Sequence, residues 1–377
     1  MFKSAILYRL APEWTPPSLD AFEDALARER FEPCRATESR SAGWVEPRGR
    51  EHGALVESID GQLVASLRTE TRAVPASAIK DALEERLQRV EDETGARPRG
   101  KRRKELKEEV VVDLLPRAFS KFSTTRIWID PSARLMVVGA GSIARADEAV
   151  GMLMQCLRAI DNPFAATLVN TATAPSTGMS IWLSEREAPA GFSIDRECEL
   201  RQAQAAGAAG TTAQGDEGPT AAQQAAESKA TVRYSRHDLD IDEIVAHIAQ
   251  GKVATKLAMT WRDRVSFVLD SSLCLKRIEL LDVVLEAVDA QAGQGEDDGF
   301  DADVAIMTAE LGRLVPELID ALGGERVAAE TAADAPAGDA GADGARAAGG
   351  RVADARAADA RASSATPRAR ETAIADG

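Results

Sequence analysis

The sequence predicts an α+β fold, with antiparallel sheets that carry helices and one helical hairpin inserted between two strands. Two amphipathic segments joined by the short loop 96–100 predict the hairpin. Apolar runs on both sides of the turn residues Pro131 and Ser132 predict an antiparallel strand pair. Three later apolar runs predict an antiparallel meander, and this mixture of elements is typical of an α+β fold. These runs are 253–261, 265–270 and 273–281.

The chain begins with alternating strands and helices. The apolar run Ser4–Leu10 predicts a strand, and Ser18 is the predicted N-cap of a helix that extends to about Arg30. The segment 43–47 (GWVEP) predicts a turn-rich connection. The alternating segment 62–68 predicts a half-buried strand that leads towards the hairpin.

The hairpin is predicted from two helices with matching apolar stripes. The first helix begins at Ser77 and ends at Gly95, and the second begins at about Arg103 and ends before Pro116. Packing of the stripes against each other leaves the connecting loop at one end of the hairpin. The stripes are Ile79, Leu83, Leu87 and Val90 on the first arm and Leu106, Val110, Leu114 and Leu115 on the second.

Strands and helices continue to about residue 322. The helices that precede residue 184 are expected on one face of the sheet, in keeping with an α+β arrangement. The predicted elements are strands at 124–130, 134–139 and 179–184 and helices at 143–159, 241–250 and 302–322.

Changes in composition divide the chain into domains. Residues 202–227 and 329–377 are rich in small residues and have few large apolar side chains, so they cannot bury enough surface to offset their ordering entropy. We therefore predict a flexible insertion and a disordered tail there. The remaining predicted domains are a central α+β domain formed by 1–74 and 124–184, a hairpin tip at 75–123, and a second α+β domain at 185–328.

Charge and composition limit the possible partners. The net charge of −15 excludes attraction of the whole surface to DNA, so any nucleic-acid contact must be local. Four dispersed cysteines and three dispersed histidines lack metal-ligand spacing, so we predict no cofactor, no bound metal and no disulfides. No apolar run approaches the roughly 20 residues of a membrane-spanning helix. We expect a soluble cytoplasmic protein without membrane contact.

Two motifs that resemble ligand-binding loops are incomplete. The segment 139–144 (GAGSIA) matches a dinucleotide loop, but the strand before it belongs to a hairpin, which favours a tight turn into a helix. Asp238, Asp240 and Asp242 resemble the start of a calcium loop, but Glu243 occupies the position that requires glycine. A metal-dependent DNA-processing enzyme remains an alternative, because folding can bring distant carboxylates together.

A dense basic cluster lies at the hairpin loop and at the start of its second helix. Seven cations fall within about three helical turns, and Glu105 is the only acid among them. Cations neutralise phosphates, and aromatic side chains can stack on bases or insert between them. The candidate DNA-binding residues here are Arg97, Arg99, Lys101, Arg102, Arg103, Lys104 and Lys107, followed by Arg117, Phe119 and Lys121.

These residues also have interpretations without nucleic acid. A basic run is usually a solvated face, and Phe119 and Phe122 at a spacing of three residues are typical of a core. A basic hairpin can also bind an acidic protein, which makes a protein-interaction scaffold a further alternative.

A second basic set lies downstream. Lys252 and Lys256 have even spacing, which predicts that they share one face of a strand. The alternative is an ordinary exposed strand face, unless these side chains face the same space as the hairpin cations. The set consists of Lys229, Arg233, Arg236, Lys252 and Lys256.

Several separate blocks of sequence resemble one known family in the same order. They are ILYRL (6–10), GWVEP (43–47), LLPRAFSKFSTTRIWID (114–130), IVAHIAQGKVATK (244–256) leading into LAMTW (257–261), and FDADVAIMTAEL (300–311). With these blocks the chain closely resembles the RdgC family of recombination-associated proteins over about 1–200 and 228–326.

The resemblance implies a bacterial nucleoid-associated protein without enzymatic activity. It implies a ring-shaped homodimer, with 185–328 as the base through which subunits pair and with DNA in a positively charged hole. It also implies binding of double-stranded DNA with little sequence preference, binding of single-stranded DNA, and antagonism of RecA by competition for DNA. By resemblance, the tip aromatic is Phe119, the tip cations lie within 97–107, and the ring-lining cations are Arg236 and Lys252.

Overall fold

The structure is a computed structural model that describes residues 2–49, 53–202, 230–239, 241–284 and 299–326. These residues lie in one compact unit, Met1–Glu330. The predicted tail at 329–377 lies outside the described residues, as does the predicted insertion at 202–227 except for Gln202. The subdivision into central, tip and second domains stays a prediction.

Strands and helices are mixed along the chain, which confirms the predicted α+β class. The strands are β1 (Ser4–Leu10), β2 (Arg40–Val45), β3 (Val56–Ile59), β4 (Gln62–Arg72), β5 (Ser120–Asp130), β6 (Leu135–Val138), β7 (Ala166–Leu168), β8 (Phe192–Gln202), β9 (Thr231–Ser235), β10 (Lys252–Trp261), β11 (Val265–Asp270) and β12 (Leu275–Leu280). The helices are α1 (Leu19–Ala27), α2 (Ala76–Thr94), α3 (Gly100–Leu114), α4 (Ile143–Arg158), α5 (Pro175–Glu185), α6 (Asp242–Ala249) and α7 (Phe300–Ala321), with a 3-10 turn at Leu115–Arg117.

The strands form one 12-stranded sheet with antiparallel pairing. Its order is β2-β4-β5-β6-β1-β12-β11-β10-β8-β9, while β3 also pairs with β4 and β7 with β1. β1 joins the two halves, because Ser4 and Ala5 pair with β12 whereas residues 6–9 pair with β6. The predicted strand pair is β5–β6 and the predicted meander is β10–β11–β12, so both are confirmed.

Apolar side chains cover both faces of the sheet around β1. Ile6 and Tyr8 pack on one face in a core that includes buried residues of α1 and α4. Ala5 and Leu7 pack on the other face in a core that includes buried residues of α5 and α7. The expectation of helices on one face therefore holds for α1 and α4 but is wrong for α5, which packs on the opposite face together with α7 from the far end of the chain.

The predicted helical hairpin is present between β4 and β5. α2 ends at Gly95, whose φ of 69° lies in the left-handed region that favours glycine. Leu83, Leu87 and Leu106 form a small core between the two arms. The second arm begins at Gly100, three residues before its predicted start. Local apolar spacing was sufficient to define this element.

The strand predicted at Met179–Ser184 is wrong, because these residues lie within α5. Pro175 occupies the first turn of that helix, where its missing amide costs no hydrogen bond. Met179, Trp182 and Leu183 are buried at helical spacing. A short apolar run does not distinguish a helix from a strand. This run was interpreted with the two-residue period of a strand, whereas its buried residues follow the period of a helix.

The turn-rich connection predicted at 43–47 is wrong over its first three residues, which end β2. Trp44 is fully buried and pairs with Leu67 of β4. A Cβ atom at Gly43 would lie only 2.4 Å from the Cα atom of Phe31. This glycine therefore permits a close approach of two backbone segments and does not mark a turn.

The remaining elements include one predicted turn and four strands that were not predicted. The segment 139–144 forms the predicted turn into α4, whose N-cap is Ser142. The sequence did not predict four of the strands, which are β3, β7, β8 and β9. Among the helices that the structure describes, none has the length and apolar composition needed to cross a membrane.

Candidate nucleic-acid interface

The hairpin is anchored at the point where it leaves the sheet. Arg72 and Ser120 pair at the end of the β4–β5 ladder, and the whole hairpin lies between them in sequence. The carboxylate of Glu70, only 1% exposed, accepts hydrogen bonds from the Cys34 amide (2.8 Å), from Arg72 Nε (3.3 Å) and from Ser120 Oγ. The bond from Ser120 and then that from the Cys34 amide lower the pKa of Glu70. A charged, buried carboxylate thus holds both ends of the hairpin against the sheet.

Four of the seven predicted hairpin cations pair with acids of the same hairpin. Arg97 pairs with Glu84 and, at 3.5 Å, with Glu91, so its guanidinium is held against α2. Exposed pairs of this kind are weak in water and can exchange for phosphate contacts, but they reduce the local positive charge. The other pairs are Lys101–Glu105 (3.9 Å), Arg102–Glu105 (3.2 Å), Arg102–Glu109 (3.5 Å) and Lys104–Glu108 (3.9 Å).

The other three predicted hairpin cations are not neutralised in this way. Arg99, Arg103 and Lys107 are exposed and form no ion pair with any residue that the structure describes. Arg103 and Lys107 are one turn apart on α3 and open onto the same groove as Lys80 of α2. Lys80 is a cation that the sequence analysis missed. The sequence places Lys80 next to Ile79, which belongs to the apolar stripe of α2. A residue at the border of such a stripe lies near the partner helix, so this position could have identified Lys80 as a cation that faces α3.

Phe119 projects from the base of the hairpin. Its side chain is 95% exposed, whereas Leu115, in the preceding 3-10 turn, is buried. Phe122 is 55% exposed and packs edge-to-face with Phe31, with ring centroids 6.3 Å apart. The core interpretation is therefore wrong for Phe119. Arg117 and Lys121 are both exposed, so the predicted alternation of aromatic and cationic side chains lies at the surface.

Two cations of the second basic set, Arg233 and Lys256, form ion pairs with acids. Arg233 pairs with Glu197 at 2.7 Å, and Lys256 pairs with Glu199 at 2.7 Å. Lys252 Nζ lies 3.3 Å from His247 Nδ1. Arg236 is exposed at a left-handed φ of 57°, and Lys229 lies outside the described residues.

The prediction that Lys252 and Lys256 share one strand face is wrong. β10 has a register shift against β8 between Ala254 and Lys256, which adds one residue to β10 at that point. Ala254 and Leu257 consequently both face the same apolar core although their spacing is odd. Lys252 therefore lies on the side of Ala254, next to α6, and Lys256 lies on the opposite side.

The strand that follows the hairpin and the strand that carries Lys252 and Lys256 are well separated in the sheet. In strand order, β5 and β10 are separated by β6, β1, β12 and β11. With strands spaced about 4.8 Å apart, five such steps place them about 24 Å apart along the sheet. Any surface that uses both sets must therefore be wide or be composed of more than one chain.

The described residues contain no group of three or more His, Cys, Asp or Glu side chains placed to hold a metal ion. The cysteines Cys34, Cys156, Cys198 and Cys274 are unpaired and buried. Burial raises the pKa of Cys198 and Cys274 to about 12, so both remain thiols at neutral pH. Of the three aspartates in the calcium-like segment, Asp240 lies outside the described residues and Asp242 pairs with Arg186.

Comparisons with known proteins show which family this sequence matches. A family model described as "Putative exonuclease, RdgC" matches residues 1–216 and 220–325. A protein of Cupriavidus pinatubonensis named "Recombination-associated protein RdgC" is 42% identical over 327 residues, which cover 87% of this chain and 99% of that protein.

Two further relatives carry the same name. The Dechloromonas aromatica protein is 41% identical over 332 residues, covering 87% of this chain and 99% of the relative. The Bordetella pertussis protein is 39% identical over 325 residues, covering 86% and 99%. A family match over most of the chain, together with relatives of this similarity along nearly their whole length, shows that the chain belongs to the RdgC family.

Proposed function

We propose that this chain binds double-stranded and single-stranded DNA without sequence preference, as a ring-shaped homodimer associated with the nucleoid. In this proposal it has no enzymatic activity and modulates recombination by competing with RecA for DNA. Its curated relatives are named for recombination and not for an enzyme, which supports the general role.

The observation that carries the proposal is the group of cations without acid partners on the hairpin, which also has an exposed aromatic ring at its base. Arg99, Arg103 and Lys107 form no ion pair with the described residues, although the chain as a whole has a net charge of −15. Such a patch attracts phosphates locally through counterion release and reads no base edges. Phe119 adds a surface on which any base can stack.

A ring would account for the separation of the two basic sets within one chain. Two subunits around a hole can direct both sets inwards while their acidic residues face solvent. Closure around DNA would also slow dissociation, since a closed ring leaves a linear duplex only by sliding off an end. Competition with RecA then requires only that both proteins occupy the same DNA.

The test is binding to linear and closed circular duplexes of equal length at several salt concentrations. A ring should bind both at moderate salt, slide off linear ends and persist on circles. Equal behaviour on both forms would leave an open basic surface in place of a ring. Absence of binding to either form at near-physiological salt would favour the protein-interaction scaffold.

A second candidate function is a metal-dependent exonuclease, which the description of the matching family model favours. Its test is incubation of end-labelled DNA with magnesium or manganese. Shortening of the DNA that co-purifies with the protein through successive columns would establish this activity and overturn the non-enzymatic proposal.

A further inference from the structure

The groove between α2 and α3 is lined by cations and apolar side chains without an acid. It is open to solvent and has a volume of about 470 Å³. Lys80 lies on its α2 side, and Ile79 and Leu83 form its floor. The α3 side contributes Arg103, Lys104 and Lys107. Four cations that converge on an apolar floor form a local environment suited to an anion with an attached flat, apolar group.

The rest of the hairpin has the opposite charge. A second groove is lined by Glu105, Glu108, Glu109 and Asp113 together with Arg86. Arg86 is neutralised there by Glu109 (3.5 Å) and Asp113 (3.2 Å). The fold therefore sorts the charges of α3, so that its acids line one groove and its unpaired cations line the other.

Two acids, Glu84 and Glu108, lie close to cations of the basic groove. Glu84 interacts electrostatically with Lys80 and Arg103, but its ion pair is with Arg97. Lys104 has a partner in Glu108 at 3.9 Å, a long contact at the surface. Lys80, Arg103 and Lys107 thus retain their capacity to bind a ligand.

We propose that this groove binds unpaired nucleotides of single-stranded DNA, and that Lys80 is one of its phosphate contacts. The inference rests on the proposed DNA-binding function and assigns single strands to a specific place on the hairpin. The cations would hold successive phosphates, and the exposed part of Ile79 would contact a base or sugar. An unpaired base presents its apolar face to a groove of this kind, whereas a duplex keeps that face stacked inside the helix.

The experiment compares three ligands on the full chain over a range of salt concentrations. The ligands are a labelled oligo(dT), an abasic oligonucleotide of the same length, and a duplex. The variants are Lys80→Ala and Ile79→Ala, and Arg89→Ala is the matched control. Arg89 is exposed and nine residues beyond Lys80, which places it on the opposite side of α2.

The proposal predicts different losses for the two groove variants. Lys80→Ala should lower the log–log salt slope on oligo(dT) by about 0.7, the value for one phosphate contact on a single strand. Arg89→Ala should leave that slope unchanged. Ile79→Ala should reduce the preference for oligo(dT) over the abasic strand and leave the salt slope as it is. Melting curves of each variant verify that the hairpin remains folded.

The outcomes separate this inference from the function on which it rests. A wild-type chain that binds none of the three ligands overturns both. Binding by the wild type with equal slopes for Lys80→Ala and Arg89→Ala, or with no preference for oligo(dT) over the abasic strand, overturns the groove alone. The proposed function would then stand with the single-strand site elsewhere.

Discussion

The buried carboxylate of Glu70 accepts a hydrogen bond from the backbone amide of Cys34 at a distance of 2.8 Å. This contact fixes the segment that follows α1 to β4. Glu70 lies two residues before the end of β4, after which the chain enters the hairpin. Because Arg72 and Ser120 donate to the same carboxylate, three separate segments converge on one charge. The direction in which the hairpin leaves the sheet therefore depends on Glu70.

Glu70→Ala should lower the free energy of unfolding by about 3–5 kcal/mol, because the partly buried Arg72 guanidinium and the buried Cys34 amide lose their partner. Urea denaturation measures this change. Glu93→Ala is the control, since Glu93 is exposed on α2 and its loss should change stability by less than about 0.5 kcal/mol. A loss of under about 1 kcal/mol for Glu70→Ala would show that the carboxylate does not anchor the hairpin.

Glu70 should also make stability depend on acidic pH. Its hydrogen bonds hold its pKa in the folded protein below the unfolded value of about 4.3. Its contribution is therefore complete above that unfolded value and is lost as the pH falls through the lowered folded value. Unfolding free energy measured between about pH 6 and pH 2 should fall less steeply in Glu70→Gln than in the wild type. Parallel curves would exclude Glu70 as a source of acid sensitivity.

Elements built from local contacts were predictable from the sequence. The hairpin followed from two apolar stripes and from Gly95, because helix–helix packing between neighbours in sequence leaves a regular local pattern. The meander β10–β12 followed from apolar runs and short turns for the same reason. Both are formed by segments that are adjacent along the chain.

Features that depend on distant segments were not predictable. Gly43 resembles a turn residue until Phe31 is seen to pass 2.4 Å from the place of its absent Cβ. Lys252 and Lys256 have the even spacing of residues on one strand face. The register shift between β10 and β8 interrupts the alternation of side chains and places the two lysines on opposite faces. In each case the deciding contact comes from another part of the chain.

The candidate site was predictable as a cluster of charges and not as a surface. The sequence placed seven cations at the hairpin, but an ion pair such as Arg97–Glu84 requires the connecting loop to fold back against α2. Lys80 was missed because it is a single cation on the arm outside the basic run. Which cations face solvent without partners is a property of the folded hairpin.

Gly43→Ala should destabilise the protein by about 1–3 kcal/mol or more, because the added methyl group would overlap the backbone at Phe31. Gly151→Ala is the matched control. Gly151 lies within α4 with no atom near the position of an added Cβ, so alanine should stabilise that helix by about 0.5–1 kcal/mol. Thermal or urea unfolding should therefore shift in opposite directions for the two variants. Equal shifts would mean that β2 does not pass so close to Phe31.

Phe119→Ala should leave stability within about 0.5 kcal/mol of the wild type, because the ring buries almost none of its surface in the described chain. Leu115→Ala, four residues earlier and buried, should cost about 2–5 kcal/mol in the same unfolding measurement. If the exposed ring stacks on DNA bases, Phe119→Ala should also weaken single-strand binding by about 1–3 kcal/mol. Phe119→Tyr, which retains an aromatic face, should preserve that binding. A Phe119→Ala variant that is as stable as the wild type and binds single strands equally well would remove this residue from the DNA interface and leave the cations to account for binding.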